Sequence, residues 1–132
     1  MDIKFCLLGG VDLKIIFDRS SVCMGDDCQS HKEELETEGE ILLSSFIESY
    51  ILKRLALISG GKATWILRVK TDNETYRDIA VMAQQWKDAK LLINDCKLIS
   101  LVNTEKVLDL FALYQLQEDP ITTYNKLLSN IK

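Results

Sequence analysis

Two apolar runs on either side of a short polar break dominate the pattern along this chain. The first run, from Ala63 to Val69, is rich in β-branched and aromatic residues, and the second extends from Ile79 to Trp86. The break between them contains Thr71-Asp72-Asn73-Glu74, which has the composition of a turn. The pattern therefore predicts a β-hairpin whose strands lie in the interior of a sheet.

Shorter apolar runs predict further strands on both sides of this hairpin. The runs 3–8 and 13–17 are joined by Gly9-Gly10, and glycine tolerates the positive φ of a tight turn. These two runs predict an N-terminal hairpin. The runs 91–93 and 97–102 flank Asn94-Asp95 and predict a second, smaller hairpin.

Apolar residues at three- and four-residue spacing predict three helices. The first covers 41–57, the second follows Thr104 as its N-cap, and the third follows Asp119 with Pro120 in its first turn. Together these elements predict an α+β domain, a mostly antiparallel sheet of about five or six strands with three helices packed on it. The predicted buried positions of the first two helices are Leu43, Phe46, Ile47, Tyr50, Ile51, Leu55, Val107, Leu108, Phe111 and Tyr114, with Leu110 as a weaker candidate.

Composition places the chain among ordinary globular proteins. With 132 residues, 47% of them apolar and 27% charged, we expect a single domain spanning residues 1–132. No apolar run has the length of a membrane span, and no signal-peptide pattern begins the chain, so we expect a cytoplasmic protein with free thiols and no membrane partner. A net charge of −4 argues against nucleic acid as the main partner, because phosphate binding requires a surplus of lysine and arginine.

Acidic residues are concentrated in one segment, residues 25–40. Seven of its sixteen residues are Asp or Glu, and Leu35 is its only large apolar side chain. This composition predicts a surface loop. The segment is either a solvated loop that maintains solubility or a negative surface that steers a basic partner, and the sequence leaves both interpretations open.

Two segments invite a chemical interpretation. Ser59-Gly60-Gly61-Lys62 lacks the spacing of a phosphate-binding loop, because Ala56 stands where the first glycine is required. In addition, Ala63 stands where Ser or Thr would hold magnesium. Cys23, Cys28 and His31 offer three zinc ligands, but a structural site requires four. We favour two packed thiols and a solvated histidine, predict no cofactor, and expect that the protein is not an enzyme.

Three segments carry a resemblance to a known family. Residues 24–28 (MGDDC), 58–65 (ISGGKATW) and 79–86 (IAVMAQQW) resemble blocks of small bacterial immunity proteins from contact-dependent growth inhibition and related polymorphic toxin systems. The resemblance implies a cytoplasmic protein that binds one toxin domain and has no activity of its own. Toxins of such systems are often nucleases, whose basic grooves an acidic segment would occupy. Some proteins of this kind accept a toxin β-hairpin at a sheet edge.

On this basis we predict that the partner is the C-terminal domain of a cognate toxin. A zinc-binding regulatory or enzymatic domain built on Cys23, Cys28 and His31 is the alternative, and an adaptor or antitoxin-like module is a third. Trp65 and Trp86 can each be a core residue or a contact residue, and for Trp65 we favour the core. The predicted toxin contacts, of which the last two are the weaker candidates, are Asp26, Asp27, Glu33, Glu34, Glu36, Glu38, Gln85 and Trp86.

Overall fold

A mixed six-stranded sheet and two α-helices form this α+β fold in a computed structural model that describes residues 12–20, 32–55, 63–115 and 118–131. The elements are β1 (Asp12–Arg19), β2 (Glu33–Glu38), α1 (Leu43–Phe46), β3 (Thr64–Lys70), β4 (Tyr76–Ala83), β5 (Lys90–Leu91), β6 (Val107–Tyr114) and α2 (Pro120–Ile131). The strand order is β2-β1-β6-β3-β4-β5. Four of the five pairings are antiparallel, whereas β1 and β6 are parallel.

The predicted central hairpin is confirmed. β3 and β4 pair in antiparallel register from Thr64 opposite Ala83 to Lys70 opposite Tyr76, with a bulge after Leu67. In the turn, Glu74 has a φ of 65° and donates its backbone N–H to the carbonyl of Thr71 at 3.1 Å. The two strands occupy the interior of the sheet, between β6 and β5.

The first helical segment covers residues 43–54. It begins as α1, continues as a π-helical turn at Ile47–Ile51 and ends as a 3₁₀ turn at Leu52–Arg54. Asp95 binds its N-terminus, because its carboxylate accepts both the backbone N–H and the hydroxyl of Ser44, at 3.1 and 2.5 Å. These contacts lower the pKa of Asp95, the hydroxyl contributing most. The first predicted helix is thus confirmed over most of its length, and the end of its predicted range lies outside the described residues.

The main core lies between this helical segment and one face of the sheet. Alternate residues of β1, β3 and β6 face the helical segment, as the two-residue period of a strand requires. The buried side chains that these strands contribute to this core are Leu13, Ile15, Phe17, Trp65, Leu67, Val69, Leu108, Leu110 and Ala112. From the helical segment, Leu43, Phe46, Ile47, Tyr50 and Ile51 complete this core, which confirms five of the six positions predicted for that helix as buried.

The helix predicted after Thr104 is wrong, because residues 107–114 form strand β6. Two hydrogen bonds explain the difference: the side-chain oxygen of Asn103 accepts the backbone N–H groups of Glu105 and Val107 at 2.9 and 3.0 Å. Lys106 completes this turn with a φ of 60°, a left-handed conformation that no α-helix contains. The apolar run that follows suits either period, and pairing with β1 and β3 selects the strand.

The prediction of a second, smaller hairpin from the runs 91–93 and 97–102 is also wrong. β5 pairs with β4, and residues 98–101 form a 3₁₀ turn instead of a strand. The segment is held to the start of the helical segment: Leu98 donates its N–H to the carbonyl of Ile41 at 2.8 Å, and Leu43 donates to that of Cys96 at 2.7 Å. Of the N-terminal hairpin, the second strand is confirmed as β1, and the run 3–8 lies outside the described residues.

The C-terminal helix α2 is confirmed together with its cap. The Asp119 carboxylate accepts the N–H of Thr122 at 3.0 Å and its hydroxyl at 2.8 Å. α2 packs along β4, and the Tyr124 hydroxyl donates to the carbonyl of Leu91 at 3.2 Å. Thus the α+β class is confirmed, and the predicted mostly antiparallel sheet with three helices is matched in part: the sheet is mixed, with four antiparallel pairings out of five, and the fold has two α-helices.

Candidate protein-binding site

The described part of the acidic segment is a strand, not the predicted loop. Residues Glu33–Glu38 form β2, which pairs with β1 in antiparallel register and lies at the edge of the described sheet. The sequence Glu-Glu-Leu-Glu-Thr-Glu alternates, so its few less polar residues share one face. Leu35 packs against the core and Thr37 is buried, which secures the strand despite its charge.

Three glutamates point away from the core in a row along this edge. Glu34, Glu36 and Glu38 occupy alternate positions, so their side chains are spaced about 6.7 Å apart on the face opposite the helical segment. We call these three residues the acidic row. Glu34 and Glu36 are exposed, and Glu38 is half-buried.

Only one cation in the described residues forms an ion pair with the acidic row. Lys14, opposite Glu36 on β1, contacts the Glu34 carboxylate at 3.2 Å, and both side chains are about half exposed. A pair this exposed to water contributes little. Glu40, beyond the strand, is instead paired with Lys97 at 2.6 Å, and this contact raises the pKa of Lys97. Lys97 also interacts electrostatically with Glu38, without an ion-pair contact. Among the described residues, the three glutamates of the acidic row thus outnumber the cations beside them, Lys14 and Lys97.

Glu33 faces the other way and is held in place. Its carboxylate accepts the Tyr50 hydroxyl at 2.5 Å and the Arg54 Nε at 3.0 Å, and the Arg54 guanidinium lies 3.6 Å from the centroid of the Tyr50 ring. Burial raises the pKa of Glu33, but the hydrogen bonds from Tyr50 and Arg54 outweigh it and leave that pKa below its usual value. Burial and the hydrogen bond to Glu33 raise the pKa of Tyr50, which therefore remains a donor at neutral pH. The three residues attach the edge strand to the helical segment.

This attachment predicts a specific loss of stability in acid. A carboxyl group whose pKa is lowered by folding stabilises the protein above its unfolded pKa of about 4.3, and that contribution disappears as the pH falls through the folded pKa. We expect Glu33→Gln to lower the free energy of unfolding by about 1 kcal/mol at pH 7, since the carboxylate is partly exposed. The difference from the unsubstituted protein should shrink as the pH falls through the lowered pKa of Glu33.

Urea unfolding measured from pH 7 to pH 3 checks this, with Glu34→Gln as the matched control on the exposed face. A Glu33→Gln deficit that stays constant across this range, or one equal to that of Glu34→Gln, would contradict the assignment of Glu33 as the attachment point.

Gln85 and Trp86 lie far from the acidic row. They follow β4, which is separated from β2 by three strands, or roughly 19 Å at about 4.8 Å per strand. Gln85 is exposed, whereas Trp86 is half-buried with the Lys90 ammonium 5.6 Å from its ring centroid. Trp86 lines a cleft of about 230 Å³ together with Leu52, Leu55 and the edge of Trp65. Trp65 itself is 1% exposed, which confirms it as a core residue.

The remaining predicted site residues lie outside the described part of the chain. This applies to Asp26 and Asp27, and to Cys23, Cys28 and His31, so the zinc alternative stays a prediction. Within the described residues, no group of three or more His, Cys, Asp or Glu side chains is arranged to hold a metal ion. Cys96 is a half-buried free thiol.

Sequence reasoning missed the partners that organise this edge. Tyr50 was predicted as buried, but its hydroxyl bond to Glu33 was not anticipated, nor was the contact of Arg54 with the same carboxylate. The alternation in residues 33–38 was the available signal for a strand, since it places Leu35 and Thr37 on one face.

Comparison with protein-family models, with curated proteins and with solved structures finds no match for this chain. Among the described residues, no helix has the length and apolar character needed to cross a membrane.

Proposed function

We propose that this protein is an immunity protein that binds the C-terminal domain of a cognate bacterial toxin and neutralises it. The observation that carries the proposal is the acidic row, three carboxylates held on the outermost described strand of a rigid sheet. Together with the resemblance of residues 58–65 and 79–86 to immunity-protein blocks, it supports a binding protein that acts by covering its partner.

The charge of the acidic row favours a basic partner. A nuclease domain must present lysine and arginine to its phosphate substrate, so carboxylates at regular spacing on a rigid strand are attracted to the same groove. The β2 residues are fixed by pairing with β1, and the Glu33 attachment holds one end of the strand. A backbone fixed in this way loses little conformational entropy on binding, which improves affinity.

The position of β2 also supports docking by strand addition, in which a strand of the toxin pairs with β2. Among the described strands, β2 pairs only with β1, and a strand of the toxin that adds to its other side would form backbone hydrogen bonds there. A toxin strand with lysine or arginine at alternate positions would face the acidic row across the new pairing. A second copy of β2 would bring glutamates next to glutamates, which disfavours self-association at this edge.

Co-expression with the toxin is the direct test of this function. The probe is the toxic C-terminal domain encoded by the gene immediately upstream, produced in bacterial cells with and without this protein. We expect growth to be restored only when both are present, and the two chains to co-purify as a complex. A toxin domain of the same chemistry from an unrelated system is the control and should remain toxic. Cells that stop growing despite full expression of this protein would refute the proposal.

A further inference from the structure

The far end of the central hairpin forms a small cleft of a different character. It lies between β4 and the 3₁₀ turn at residues 98–101, has a volume of about 140 Å³, and is open to solvent. Its floor is apolar, formed by Val69, which is 3% exposed, and by the half-buried Leu101 and Val102. Its size suits a single short side chain or a small acid, since pockets for drug-sized ligands occupy about 300–1,000 Å³.

Two cations line the rim of this cleft. Arg77 lies opposite Val69 in the register of the hairpin and is exposed, and its side chain makes neither an ion pair nor a hydrogen bond within the described part of the chain. Among the described residues, the Lys70 ammonium forms an ion pair only with Glu74, at 3.5 Å, and the Glu74 side chain is 83% exposed, so this pair is weak. The Arg77 guanidinium therefore presents its donors to the cleft without an internal acceptor.

The polar side chains of the rim leave room for an anion. The side-chain oxygen of Asn103 is used by the N–H groups of Glu105 and Val107, so its NH₂ group is the part left to donate to a ligand. The one lining carboxylate, Asp72, accepts the backbone N–H and the hydroxyl of Thr104 at 3.1 and 3.3 Å. Those two donors reduce its repulsion of an anion, and the lining residues retain a net positive charge.

We propose that this cleft binds a carboxylate carried on a short aliphatic stem, with the carboxylate on Arg77 and the stem on Val69, Leu101 and Val102. An arginine fork matches a carboxylate in two parallel hydrogen bonds, and the apolar floor selects a ligand with a hydrocarbon part over a compact inorganic anion. The ligand is either a free aliphatic acid or a glutamate side chain of another protein. This inference does not depend on the acidic row, which is on a different strand.

Titration of the full chain with butanoate, followed by backbone amide chemical shifts at constant ionic strength, tests the proposal. We expect saturable shifts at Thr71, Arg77, Leu101 and Asn103. Arg77→Gln should weaken binding about tenfold or more, because it removes a charge-assisted bidentate contact. Lys53→Gln changes the net charge equally, at an exposed position on the helical segment, and should leave the affinity unchanged.

The comparison ligands separate the remaining possibilities. Butylamine, which has the same stem and the opposite charge, should not bind, and inorganic phosphate should bind more weakly than butanoate. A blocked peptide with one central glutamate identifies the source: tighter binding than butanoate points to a protein ligand, and binding of butanoate alone points to a free acid. Shifts that do not saturate, that persist in Arg77→Gln, or that phosphate reproduces with equal affinity would overturn the proposal.

Discussion

Replacing the acidic row by lysine, in a Glu34→Lys/Glu36→Lys/Glu38→Lys variant, should slow association with the toxin domain by roughly tenfold to a thousandfold at low salt. The row attracts a basic surface before contact is made, so its reversal acts mainly on the association rate. The effect should shrink as salt is added, because the screening length falls from about 10 Å at 0.1 M to about 3 Å at 1 M. Stopped-flow association measured across this range is the appropriate experiment.

A matched variant separates the acidic row from the overall charge of the protein. Glu48→Lys/Asp88→Lys/Glu105→Lys makes the same change in net charge at three exposed positions outside β2. We expect it to change the association rate much less. Both variants should unfold at nearly the same temperature as the unsubstituted protein, because the one ion pair that the row forms among the described residues, Lys14–Glu34, is exposed to water, and Lys97 keeps its contact with Glu40. Equal slowing by both variants would show that net charge alone matters, and no slowing by either would remove the acidic row from the proposed binding mechanism.

Leu110→Ala should lower the free energy of unfolding by about 2–5 kcal/mol, the second large effect that we expect. Leu110 is fully buried in β6, between Phe17 of β1 and Val69 of β3. Truncation removes apolar contacts and leaves a cavity that neighbours held in a sheet fill poorly. Urea unfolding with the slope held in common between variants gives the difference directly.

Phe111→Ala is the control for this measurement, because the next residue along a strand faces the opposite way. Phe111 is half-buried on the other face of the sheet, so although it is the larger residue it should cost less than about 2 kcal/mol. In the helix predicted from sequence, Phe111 belongs to the buried stripe and Leu110 is a weaker candidate for it, whereas the strand buries Leu110 and turns Phe111 to the other face. A larger loss for Phe111→Ala than for Leu110→Ala would therefore contradict the strand.

Local sequence patterns were sufficient to predict the elements that carry a strong turn, cap or periodicity signal. The hairpin of β3 and β4 was predictable because two long β-branched runs surround a short turn, and α2 because Asp119-Pro120 combines a cap with a residue that suits the first helical turn. The α+β class followed from these elements. The buried positions from Leu43 to Ile51 followed from their helical spacing.

Long-range contacts decided the elements that were predicted wrongly. Val107 to Tyr114 fits both a helical and a strand period, and the choice depends on β1 and β3, which are distant in sequence. Residues 33–38 looked like a loop because charge dominates them, yet pairing with β1 and the bond from Tyr50 make them a strand. The acidic residues of the candidate site could thus be named from sequence, whereas their division into one anchored glutamate and an outward row could not.

The parallel pairing of β1 with β6 sets an order of events during synthesis. Ile15 pairs with Leu108, so the strand that supports β2 lacks its inner neighbour until the ribosome has made β6. An incomplete chain that ends before Val107 would contain every glutamate of the acidic row but not the sheet that orients them. If the protein protects its producer from a toxin, that protection requires a chain translated beyond Tyr114, because a shorter nascent chain lacks β6.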